Sequence, residues 1–148
     1  MPMHRRELVR TTEKMLGALG LAGAEVSLLV CDDATIHELN RDTRGKDRPT
    51  DVLAFAMRDG EFGDLAGDLL GDVVLSMDTA RRQARERGHS TAAEIRFLLA
   101  HGLLHLVGYD HPDEGSLRRM LALGDALVAA SRNSTPDRPS RDRRKIRR

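Results

Sequence analysis

Tryptophan is absent from this chain, and one tyrosine and three phenylalanines are its only large aromatics. A packed interior must therefore come from Leu, Val, Ala, Ile and Met, and a hydrophobic share of 40% is enough to build one. Cysteine is nearly missing. Cys31 stands alone, which excludes an intrachain disulfide and fits a reducing cytosol. It closes the apolar run Val26 to Val30 and reads as packed rather than reactive. Long apolar runs are missing too. Met1 to Glu7 holds no apolar signal core after its charges. The longest apolar stretch, Phe97 to Gly108, is broken by two histidines and is too short for a bilayer. These absences predict a soluble, cytoplasmic protein with no membrane partner.

A net charge of +1 conceals an uneven distribution. Residues 131–148 hold eight Arg or Lys against two Asp, while the other 130 hold 16 against 21 Asp or Glu. An acidic body thus carries a basic tail. From Ser131 onward apolar residues almost vanish, which predicts a disordered segment that buries too little to offset its ordering entropy. Such a tail either contacts nucleic-acid phosphates or serves as a solubilising extension. The remaining length suits one domain, residues 1–130, followed by the tail at 131–148.

Leu8, Met15, Leu16 and Leu19 recur at helical spacing, predicting a first helix that ends near Gly20. Glu25 to Cys31 and Leu69 to Ser76 read as strands, the second buried on both faces. Gly71 inside it marks a bulge or a close backbone approach. Asp33 is the expected N-cap of a helix from Ala34 to Asn40. The charged stretch Arg41 to Asp51 reads as a solvated loop before a strand, Val52 to Met57. A guanidinium in that loop could grip a phosphate at two points. Asp59 to Gly67 is a second loop, and Met77 to Arg87 a helix with a solvated, charged face, ended by Gly88. Thr91 and Glu94 suggest a capping box that opens a long helix through Val107. Pro112 opens the last helix, with Met120, Leu121, Leu123, Leu127 and Val128 on its buried side. The expected class is α+β: a small mixed β-sheet packed with helices, with a metal site on the long helix and the turn after it.

That site is the strongest chemical signal. His101 and His105 are four apart, so on a helix they share one face. Gly108 can end the helix in a left-handed cap, and the chain can then bring in His111 from the side. Three imidazoles around one point are how proteins hold one catalytic Zn²⁺, leaving a fourth position for water. Zinc proteases with this spacing carry Glu after the first histidine as general base. Here Gly102 stands in its place. A structural zinc would need a fourth protein ligand, and Cys31 lies far off in sequence.

The run His101-Gly102-Leu103-Leu104-His105-Leu106-Val107-Gly108-Tyr109-Asp110-His111 resembles the signature of the YbeY-type endoribonucleases of bacterial rRNA maturation. Arg44-Gly45-Lys46-Asp47, Pro49-Thr50-Asp51-Val52-Leu53 and Phe55 resemble a second segment of that family. Leu70-Gly71-Asp72-Val73-Val74-Leu75-Ser76 resembles a third. The resemblance spans roughly residues 25 to 125 and excludes the tail. It implies a zinc-dependent, single-strand-specific endoribonuclease acting in 16S rRNA 3′-end maturation and ribosome quality control. It implies His101, His105 and His111 as zinc ligands and Arg44 as the catalytic arginine beside them. The implied partners are single-stranded rRNA, the small ribosomal subunit and its assembly factors, and no DNA is expected. The alternatives are a non-catalytic, zinc-containing ribosome-assembly factor and, further off, a zinc metalloprotease.

Overall fold

A computed structural model describes residues 3–57, 69–109 and 113–132, and the backbone of 146 and 147. The elements follow in the order α1 (Arg5–Ala18), β1 (Glu25–Cys31), α2 (Asp33–Arg44), β2 (Val52–Ala56), β3 (Leu69–Ser76), α3 (Met77–Arg87), α4 (Thr91–Leu106), α5 (Glu114–Arg132) and β4 (Ile146–Arg147). The strand order is β2-β3-β1-β4. β1 and β3 run parallel, with Leu28 opposite Val73, while β2 lies antiparallel to β3, with Leu53 opposite Val74. The sheet is therefore mixed, and the α+β expectation holds. β4 pairs with β1 through Val26 and Ser27 only. It falls in the segment expected to be a disordered tail, whose residues 133–145 and 148 lie outside the described residues.

Alternation along the strands sorts side chains to two faces. Val26, Leu28, Val73 and Leu75 join α1, α4 and α5 in the main core. Val74 and Leu53 turn the other way and meet Ile36 of α2. α4 runs between the sheet and the outer helices, which is why it is apolar almost all round: Ile95, Leu98, Leu99, Leu103, Leu104 and Leu106 are all buried. Two glycines let the layers close. A Cβ at Gly71, whose φ is 147°, would strike the Phe55 carbonyl. A Cβ at Gly102 would sit 2.9 Å from Val73 Cγ1 and 3.2 Å from Val52 Cγ2. Gly102 is thus where α4 touches the sheet.

Several boundaries differ from the sequence expectation. Asp32, not Asp33, caps α2, accepting from Thr35 N at 2.9 Å. Asp33 is already helical, and its carboxylate is taken by Ser76 Oγ at 2.6 Å, Thr79 Oγ1 at 2.7 Å and Arg82 Nη1 at 3.1 Å. α2 also runs past Asn40 to Arg44, where Gly45 ends it at φ 72°. Asn40 is buried inside the helix, its amide donating to Arg48 O at 2.9 Å. Ser90 rather than Thr91 caps α4, donation coming from Ala93 N at 3.0 Å. Glu94 makes no capping box; it is buried and faces Arg87 and His89. α5 runs from Glu114 through Arg132, and Leu121, expected on its buried side, is exposed. Asp59 to Gly67 lies outside the described residues, as do Asp110, His111 and Pro112.

Candidate metal and phosphate site

α4 ends in paired 5→2 and 6→1 bonds, Gly108 N to His105 O at 3.1 Å and Tyr109 N to Leu104 O at 3.0 Å. Gly108 takes φ 101°, the left-handed turn expected of it. One helical turn before that stop, His105 meets His101. Their Nε2 atoms are 3.2 Å apart, with ring centroids at 4.7 Å and an interplanar angle of 68°. Two imidazole lone pairs cannot face each other bare; either a proton or a cation lies between them. Two nitrogens at about 2.0–2.1 Å from one tetrahedral zinc are about 3.3–3.4 Å apart. The observed separation fits that donor geometry. Among the described residues no group of three or more His, Cys, Asp or Glu is set for an ion. His111, the expected third ligand, lies outside the described residues.

The rings open into a cleft of about 250 Å³ between α4 and the edge strand β2. Among the described residues Arg44, Asp51, Val52, Ala54, His101 and His105 line it. Arg44 is the last residue of α2, not a member of a loop. Its Nη2 donates to Ala54 O at 2.6 Å, and its guanidinium lies 5.2 Å from the Phe55 ring centroid. One hydrogen bond and one aromatic face thus hold a cation in the same cleft as the two imidazoles, with donors to spare. The structure brings Arg44, His101 and His105 together around one cavity.

Asp51 also reaches the cleft, and sequence reasoning gave it no role. Its Oδ1 accepts from Val52 N at 2.7 Å and its Oδ2 from Gln83 Nε2 at 3.3 Å. Its signals in the sequence were its place at the loop-to-strand junction and in the segment Pro49-Thr50-Asp51-Val52-Leu53. Elsewhere, His37 bonds Asp47 at 2.7 Å and ties α2 to the loop after it. Burial first, and then Asp32, Asp33 and Asp78, push the Cys31 thiol above its ordinary pKa, which fits a packed cysteine. The glutamate of zinc proteases has no room here: position 102 faces Val73 and Val52.

Residues 3–132 match the family Endoribonuclease YbeY. The chain is 46% identical over 134 residues to an endoribonuclease YbeY of Geobacter sulfurreducens, covering 89% of each chain. It is 48% identical over 134 residues to one from Moorella thermoacetica, covering 83% of this chain and 86% of that protein. A solution structure of a Thermotoga maritima protein is 26% identical, with a TM-score of 0.54 over 90% of this chain and 88% of that one.

Proposed function

The chain belongs to the endoribonuclease YbeY family, and from that premise we propose that it cleaves single-stranded RNA at the cleft between α4 and β2. The single observation that carries the reading is that Arg44 lines the same cavity as His101 and His105, whose Nε2 atoms converge. The proposed biological substrate is 16S rRNA at its 3′ end, within ribosome maturation and quality control in the cytoplasm. Single-stranded rRNA, the small subunit and its assembly factors are the proposed partners.

His101 and His105, with His111 as third ligand, would hold one zinc ion. When bound, zinc supplies Lewis-acid polarisation of a phosphate and a more acidic water. The rest falls to the chain. The free donors of Arg44 can take a non-bridging phosphate oxygen and balance the charge that grows on phosphorus in the transition state. The hydrogen bond to Ala54 O and the Phe55 ring fix the guanidinium beforehand, so little side-chain freedom is lost on binding. Leu103, Leu104 and Leu106, buried behind the imidazoles, keep water from the back of the site. Asp51, held by Val52 N and Gln83, sets a negative charge beside the histidines, where it favours a bound cation.

Incubating zinc-loaded protein with labelled single-stranded RNA and with casein tests this reading. RNA should be cut and casein left intact. Arg44→Ala should lower the cleavage rate by about 10²–10³ with zinc still bound. Undiminished cleavage by that variant would remove Arg44 from the chemistry, and zinc-bound protein that cuts no RNA would favour the assembly-factor alternative.

A further inference from the structure

α3 ends at Arg87, and the link from Gly88 to Ser90 turns the chain into α4. The corner is stiff: Gly88 takes φ 73°, and His89 N donates to Ala84 O at 3.0 Å. On the composition of its face α3 should be simply solvated. Arg81, Arg85 and Glu86 are indeed exposed, but Arg87 is engaged. Its Nη1 lies 3.2 Å from Glu94 Oε2, whose side chain is wholly buried. Its guanidinium sits 4.9 Å from the Phe97 ring centroid. The Phe97 ring is in turn 6.4 Å from the His101 ring, tilted by 32°.

These contacts make a ladder: His101, Phe97, Arg87. Arg87 still leaves 44% of its side chain to solvent, so its outer face is open. The direction of the ladder follows from helix–strand packing. Gly102 lies against Val52, and Leu106 lies against Gly71, the partner of Ala56. α4 and β2 therefore run the same way. Phe97, a turn before His101, stands past the Asp51 end of the cleft, on the side away from His105. A strand of RNA leaving the metal site in that direction passes over Arg87.

We infer that Arg87, backed by Phe97 and tied to Glu94, is a stacking platform for the base of a nucleotide flanking the scissile phosphate. Guanidinium planes and aromatic rings both stack on unpaired bases, and a base held in a duplex cannot present its face to them. The platform would thus select for single strands. Glu94 Oε2 lies 3.2 Å from Nη1 on the buried side, and the solvent-facing part of the guanidinium is left for stacking. Nothing in the ladder reads base edges, so the preference is for an unpaired base rather than for a sequence. The inference rests on the endoribonuclease reading, and its test separates the two.

A ten-nucleotide single-stranded RNA is prepared with an abasic residue at each position in turn. Binding to the zinc-loaded protein is read by fluorescence anisotropy, and cleavage is followed in the same samples. One position should lose about fivefold or more in affinity when its base is removed. Arg87→Lys keeps the charge beside Glu94 but has no plane to stack, and it should cut that penalty below about twofold while leaving the other positions unchanged. Phe97→Leu keeps the apolar packing and should do the same. A penalty that survives both variants at every position, or no penalty anywhere, overturns the platform. RNA cut normally with no such penalty keeps the nuclease and rejects the platform. Intact RNA with an Arg87-dependent penalty does the reverse.

Discussion

Gly102 shows how much one missing side chain decides. In the sequence it registers only as the absence of a glutamate that a protease would need. In the structure it is the point where α4 meets Val73 and Val52, and it brings the two imidazoles to the sheet edge. Gly102→Ala forces a Cβ to within 2.9 Å of Val73 Cγ1. The expected cost is about 1–3 kcal/mol, as for other overpacked cores. It should appear as a lower denaturation midpoint together with weaker zinc binding, because the strain lifts His101 and His105 from β2. Unchanged midpoint and zinc affinity would show that the contact relaxes freely. Arg44 was legible only through resemblance. By composition it sits among charges that normally face solvent, and the carbonyl and ring that single it out belong to a strand ten residues later.

At the scale of elements, α2 was the least legible. Its charged last turn reads as loop because no apolar periodicity continues beyond Leu39. What makes it helical is tertiary: Asn40 buried against the Arg48 carbonyl, Gly45 as a left-handed stop, and Asp33 lashed to α3. The strands and α4 were legible because their burial shows as apolar runs with few polar breaks. Asp33 offers a test of the α2 anchor. Burial raises its pKa, but hydrogen bonds from Ser76, Thr79 and Arg82 outweigh that and leave it below the usual value. A depressed folded pKa gives stability that is present above the unfolded value near 3.9 and lost as pH falls through the folded one. Asp33→Ala should therefore cost about 1–3 kcal/mol at neutral pH, since it strands the buried hydroxyls of Ser76 and Thr79. Thermal melts should show that difference shrinking below about pH 4. A pH-independent difference would mean the carboxylate charge is not what fastens α2.

For the whole molecule, the fold joins three separated stretches at one edge of the sheet. The histidines come from the helix that fills the core, Arg44 from the end of the helix on the opposite face, and the floor from edge strand β2. The histidine spacing placed His101 and His105 side by side on one helix face in advance. The phosphate half depends on sheet order, which no local pattern encodes. Among the described residues no helix is long and apolar enough to cross a membrane. The most direct measurement is cleavage of single-stranded RNA by metal-stripped protein titrated with zinc, for the wild type and for His105→Ala. Wild-type activity should rise linearly and level off at one zinc per chain, and His105→Ala should neither retain the ion nor cut. Full cleavage by stripped protein, or by His105→Ala, would contradict the account.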